Sequence, residues 1–161
     1  MPFISDASVA VALGANRPSV VGTPRETFVV VRPLLEDLLA GWAAQALCCS
    51  WSQLLKTKPV GPVEQPDYLN AVVIVKGLTL APSATLALDL LQRLHGLERR
   101  FGRERSLEQR WGPRSLDLDL LFWGELRLEH PDLILPHPRM HLRSFVMEPL
   151  LQAMNGAAEW T

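Results

Sequence analysis

The run Leu116-Asp-Leu-Asp-Leu120 alternates strictly between an aliphatic and an acidic residue. Successive side chains on an extended chain point to opposite faces, so this pattern demands a strand. Leu116, Leu118 and Leu120 then face a core. Asp117 and Asp119 stand side by side on the other face, with Cα atoms roughly 7 Å apart. Two carboxylates that close repel each other. A solvated strand face tolerates them, and alternation is common there. A hard cation satisfies them too, and Mg²⁺ prefers a few carboxylates together with phosphate oxygens.

The charge just upstream favours the cation. Seven of the 13 arginines (Arg93, Arg99, Arg100, Arg103, Arg105, Arg110 and Arg114) lie in the stretch leading to this strand. Only Glu98, Glu104 and Glu108 offset them. Arg93, Arg99 and Arg100 fall at the end of a predicted helix, where cations are expected. Arg103, Arg105, Arg110 and Arg114 have no such explanation. Guanidinium groups grip phosphate oxygens in pairs and keep their charge. Carboxylates for a metal beside arginines for phosphate are the equipment of phosphoryl transfer. The chain has neither a P-loop nor a Gly-x-Gly-x-x-Gly run, so a nucleotide must be held in another way.

Val9–Leu13 reads as a buried first strand, ended by Gly14-Ala-Asn16. Thr23-Pro-Arg-Glu26 has the form of a helix start, with an N-cap threonine, a first-turn proline and a glutamate three residues on. Leu34, Leu35, Leu38 and Leu39 continue at helical spacing until Gly41. Pro33 offers a second possible start. Gln45–Lys56 and Tyr68–Leu78 read as strands, and Pro82–Phe101 as a second helix. A polar loop leads to a fourth long strand, Ser115–Trp123. Leu126–Leu128 and Leu133–Leu135 are short strands, and Phe145–Met154 a closing helix. The order β-α-β-β-α-β predicts an α+β, ferredoxin-like core, an antiparallel sheet with helices packed on it, followed by the short C-terminal strands and helix. At 161 residues, the expectation is a single domain over residues 1–161.

Hydrophobic residues make up 48% of the chain and charged ones 20%, a globular composition. A net charge of −1 argues against nucleic acid as a partner. The strands also lack the exposed aromatics of an RNA-reading sheet. Cys48 and Cys49 are adjacent and read as two small apolar residues on a strand in a reducing compartment. No apolar stretch reaches the ~20 residues that span a bilayer. The first basic residue is Arg17, so there is no signal-peptide pattern. The expectation is a cytoplasmic monomer with no membrane partner. His137 and His141 are four apart, but without a His-Glu-x-x-His run zinc is not expected.

Several segments, in order, resemble the hydroxymethyldihydropterin pyrophosphokinase family. They are Pro59-Val-Gly-Pro62, Gln65-Pro-Asp-Tyr-Leu-Asn-Ala71, Phe101-Gly-Arg103, Arg110-Trp-Gly-Pro-Arg114, Leu116-Asp-Leu-Asp-Leu120, Leu135-Pro-His-Pro138 and Arg143-Ser-Phe-Val146. The resemblance covers nearly the whole chain and is strongest from Thr57 to Leu150. It implies an enzyme of folate biosynthesis that moves pyrophosphate from ATP to 6-hydroxymethyl-7,8-dihydropterin and leaves AMP. It implies two Mg²⁺ ions, with ATP as co-substrate. By the same resemblance Asp117 and Asp119 bind the metal, and Arg103 and Arg114 join them as the catalytic set. Thr57, Val60, Tyr68, Asn70, Trp111 and Phe145 match the pterin pocket. Aromatic faces suit a flat pterin, and Asn70 suits its amide-like edge. His95, Glu98, Arg105, His137 and Arg143 match the ATP side. The loop from Gly102 to Pro113 is expected to close over the reactants. Gly14-Ala-Asn-Arg-Pro18 replaces the family's Gly-Ser-Asn-x-Gly, and the stretch from Pro18 to Val31 differs from the family's short link.

Overall fold

The structure, a computed structural model, describes residues 8–59, 61, 64–103, 114–138, 153 and 160. Its elements run β1 (Val9–Ala15), α1 (Pro24–Ala43), β2 (Cys48–Trp51), β3 (Leu55–Thr57), β4 (Tyr68–Lys76), α2 (Ala84–Arg100), β5 (Asp117–Trp123), β6 (Leu128–His130) and β7 (Leu133–Leu135). The main sheet has the order β2-β4-β1-β5, and β3 also pairs with β4. All its pairings are antiparallel. This is the expected ferredoxin-like arrangement, with a separate β6–β7 hairpin.

Alternation assigns each strand two faces. Val9, Val11 and Leu13 of β1, Ala71, Val73 and Val75 of β4, and Leu116, Leu118 and Leu120 join the main core. Phe28, Val31, Leu35 and Leu39 of α1 and Leu90, Leu94 and Leu97 of α2 cover that face. Each large aliphatic side chain buried here stabilises the fold by roughly 1.5–3 kcal/mol. Turning β5 over would expose three leucines and bury two carboxylates, so its facing is fixed. A bulge between Ala10 and Val11 shifts the β1–β5 register. Beyond it, Phe122 joins a smaller cluster with Ala10, Val72, Ile74, Leu121 and Ala153. Trp123 enters the main core instead, edge-on to Trp42 at 4.8 Å.

Helix α1 takes the first of its two possible starts. Thr23 caps it in a full capping box with Glu26. Pro33 is accommodated inside the helix. The expected end at Gly41 is corrected to Ala43, because Trp42 and Ala43 are buried in the core and packing holds the last turn. Ala44 then closes it in a left-handed conformation, φ 54°.

The expected long strand from Gln45 to Lys56 is two short ones. Ser52 breaks it by using its hydroxyl where a ladder carbonyl would serve. It accepts from Val72 N–H at 2.9 Å and donates to Gln53 O at 2.9 Å. Trp160 braces the break by donating to Ser52 O at 2.7 Å, and Arg32 lies over both the Trp51 and Trp160 rings, which meet edge to face. Gln45 is in a connection, where it accepts from Thr79 N–H at 2.7 Å.

Cys48 and Cys49 lie on β2 as free thiols. Cys48 is exposed, which corrects its reading as an apolar filler. Burial, with Glu36 beside it, pushes the Cys49 thiol up to about 12. Among the described residues no helix is long and apolar enough to cross a membrane. The closing helix Phe145–Met154 lies outside the described residues except for Ala153, which is buried.

The capping box yields a pH-dependent prediction. Thr23→Ala should lower the unfolding free energy by about 1 kcal/mol in a urea titration at neutral pH. Hydrogen bonds from Thr23 hold the Glu26 carboxyl below its ordinary 4.5. A depressed carboxyl supports the fold above its unfolded pKa, and this support disappears as pH falls through the folded value. The larger of these bonds comes from the Thr23 backbone N–H, which alanine keeps, so Glu26→Gln reads it: the Glu26→Gln deficit should shrink as pH falls below the ordinary carboxyl value. A Glu26→Gln deficit constant across that range would rule out the reciprocal bond.

Candidate active site

Directly opposed residues in an antiparallel pair share a face. Leu55 pairs with Asn70, Asn70 with Gly14, and Gly14 with Asp117. One row of the sheet therefore carries Asn70 and Asp117 on the face away from the helices, roughly 10 Å apart across two strand spacings. Neighbouring rows add Thr57 opposite Tyr68, and Asp119 opposite Ala12, itself opposite Val72. Five residues expected at the site, from two separate expected roles, thus share one sheet face.

Asn70 is buried at the floor. Its Nδ2 donates to Thr57 Oγ1 at 2.7 Å and to Leu55 O at 3.2 Å. Gly14 lies between the two ends. A Cβ there would sit 3.6 Å from Asn70 Oδ1, 3.7 Å from Tyr68 Cδ1 and 4.0 Å from Asp117 Cβ. The glycine thus leaves a shallow gap between the amide end and the acidic end. Sequence reading treated this glycine only as the end of a strand; the cross-strand register is what gives it a place in the site.

At the acidic end, Arg103 directs one guanidinium nitrogen at three oxygens. Its Nη1 donates to Asp117 Oδ1 at 2.6 Å, Glu98 Oε2 at 2.7 Å and Leu116 O at 3.3 Å. Arg103 is 4% exposed and Glu98 1%. Asp117 keeps 29% of its side chain exposed, and Asp119 is half-buried. Glu98 Oε2 also accepts from Leu118 N–H at 2.8 Å. Glu98 was expected beside the nucleotide. Its carboxylate is buried, joining the end of α2 to the start of β5. Arg103 follows α2 after Phe101 and Gly102, whose φ of 91° suits glycine alone. Arg114 is half-buried just before β5.

A cleft of about 550 Å³ wraps the outer edge of β5. His95 of α2, Asp119 of β5 and His137 line it, along with Asp132 and Ile134. His137 N–H donates to Leu121 O at 2.7 Å, which seats the segment after β7 against β5. Asp119 therefore belongs both to the sheet face and to the cleft. Val60, Arg105, Trp111, Arg143 and Phe145 lie outside the described residues, as do His141 and most of the loop from Gly102 to Pro113. No group of three or more His, Cys, Asp or Glu side chains suited to a metal occurs among the described residues.

A pyrophosphokinase from Synechocystis, named for 2-amino-4-hydroxy-6-hydroxymethyldihydropteridine, is 38% identical over 138 residues, covering 81% of this chain and 63% of that protein. The protein of that name from Pseudomonas aeruginosa is 39% identical over 142 residues, covering 88% of this chain and 77% of its own length. A mitochondrial folate synthesis bifunctional protein from Arabidopsis thaliana is 37% identical over 153 residues, or 94% of this chain and 24% of that protein. The chain thus spans under two thirds of some relatives and over three quarters of another. Residues 10–155 match the family described as 7,8-dihydro-6-hydroxymethylpterin-pyrophosphokinase (HPPK). The chain belongs to that family.

Proposed function

We propose that this chain transfers the terminal pyrophosphoryl group of ATP to the hydroxyl of 6-hydroxymethyl-7,8-dihydropterin. The observation that carries this reading is the shared sheet face, with Thr57, Tyr68 and Asn70 at one end and Asp117 and Asp119 at the other. In this reading the pterin lies at the amide end. Asn70 offers its Oδ1 as an acceptor to the ring edge, its two N–H groups being donated to Thr57 Oγ1 and Leu55 O, and the Tyr68 ring supplies an apolar contact. The nucleotide lies at the acidic end and along the cleft that His95 and His137 line.

Asp117 and Asp119 fit a hard cation. They are two carboxylates on one face, partly exposed, and oxygen ligands are what Mg²⁺ prefers. When bound, two Mg²⁺ ions would screen the phosphate charge and lower the pKa of the attacking hydroxyl. The hydroxyl oxygen forms a bond to the β-phosphorus. The bond from that phosphorus to the α–β bridging oxygen breaks, AMP leaves, and the hydroxyl proton is released. Arg103 holds Asp117 in one orientation and brings positive charge to the acidic end. Arg114 meets the charge that gathers on the transferred group. Val60, Trp111 and Phe145 complete the pterin pocket, and Arg105 and Arg143 add to the phosphate side. Glu98 serves this site from behind, by fixing Arg103.

The direct experiment mixes the protein with Mg²⁺, ATP and the pterin alcohol and identifies the nucleotide product. AMP supports the reading; ADP would make the chain an ordinary kinase. Asp119→Ala should cut kcat by at least about 100-fold, with stability changed by less than about 1 kcal/mol. Retained turnover would remove the metal assignment.

Arg103→Ala should behave differently. It removes the guanidinium that meets the Glu98 charge in the interior, so the fold should lose roughly 3–5 kcal/mol. Per folded molecule, kcat should fall more than the KM for ATP rises. A variant as stable as the parent would refute the buried ion pair as a structural link.

A further inference from the structure

Asn16 lies just past β1 and is 3% exposed. Its side chain reaches two segments far away in sequence. Nδ2 donates to Gln65 Oε1 at 2.7 Å and to Pro66 O at 2.9 Å. Oδ1 accepts from Arg114 N–H at 2.8 Å. The orientation of the amide follows from chemistry, because a carbonyl only accepts and a backbone N–H only donates. The Asn16 backbone closes the clasp, since its N–H donates to Arg114 O at 2.9 Å.

These contacts fall where two strands begin. The β1–β5 ladder ends at the pair Gly14–Asp117, and the β1–β4 ladder at Ala15–Leu69. Asn16 continues both pairings beyond their last rungs. It grips the chain entering β4, which carries Tyr68 and Asn70, and the chain entering β5, which carries Asp117 and Asp119. Alanine would lose both grips, and with them three hydrogen bonds made by a buried side chain. Aspartate would keep the bond from Arg114 N–H but set a carboxylate oxygen against Pro66 O.

We propose that Asn16 is a positioning residue that sets the separation of Arg114 from the amide end of the sheet face, and so aligns the transferring group with the acceptor alcohol. This rests on the function proposed above. Reacting atoms must meet within narrow limits, and a displacement of about 1 Å can cost about 100-fold in rate. A residue that touches neither substrate can therefore govern turnover.

The test is steady-state kinetics of the full chain with ATP, Mg²⁺ and the pterin alcohol, corrected for the folded fraction from thermal melts. Asn16→Ala should lower kcat by about 10- to 100-fold and leave the KM for ATP within about threefold. Asn16→Asp should raise the KM for the pterin by about tenfold and lower kcat less than alanine does. A loss that merely tracks the unfolded fraction, or both constants within about twofold of the parent, would overturn the proposal. If neither variant folds, Gln65→Ala decides: a pterin KM raised by about threefold supports the clasp, and an unchanged one refutes it. A parent protein that makes no AMP overturns this proposal together with the function it rests on. An active parent with unaffected variants overturns the positioning role alone.

Discussion

A single buried guanidinium joins the two layers of this fold. Arg103 sits between Glu98, at the end of α2, and Asp117, at the start of β5. Neither acid alone explains its place. Glu98 is inside the protein and needs a counter-charge there, since a lone buried carboxylate is costly. Asp117 sits partly exposed at the acidic end and gains a fixed orientation from the same group. Because Glu98 also takes the amide proton of Leu118, the strand is held at its backbone as well as at its side chain. The helix layer and the acid-bearing face of the sheet thus share one electrostatic joint.

That joint operates within a simple division of labour. The helices cover one side of the sheet, and Thr57, Tyr68, Asn70, Asp117 and Asp119 lie on the other. Leu118 illustrates how thin the boundary is. It is fully buried in the core, while Asp117 and Asp119 on either side of it project the opposite way. No separate scaffold carries the site; the backs of the core strands form its floor.

Much of this was legible in the sequence because it rests on period and local chemistry. The Leu-Asp alternation located β5 and its facing, and Thr23-Pro-Arg-Glu26 located the start of α1. What was not legible depends on contacts distant in sequence. Gly41 looks like a helix end, but the burial of Trp42 and Ala43 carries the helix past it. Ser52 reads as an ordinary strand residue until Val72 arrives to use its hydroxyl. Glu98 matched a nucleotide-side position, and only the approach of Arg103 and Leu118 shows where its carboxylate points. Gly14 and Asn16 read as turn residues; their neighbours lie 49 or more positions away.

The extra residue in β5 has a further effect. In an unbroken ladder, Asp117, Asp119, Leu121 and Trp123 would all lie on one side. The bulge lets Leu121 and Phe122 both sit on the outer side and returns Trp123 to the inner one. It works like a phase shift in a periodic signal, dividing one strand into a hydrophilic half and an oily half. Each half can keep its own rhythm without disturbing the other. Flattening the bulge with the residue kept would put the halves back in step, forcing either the acids into oil or the tryptophan into water.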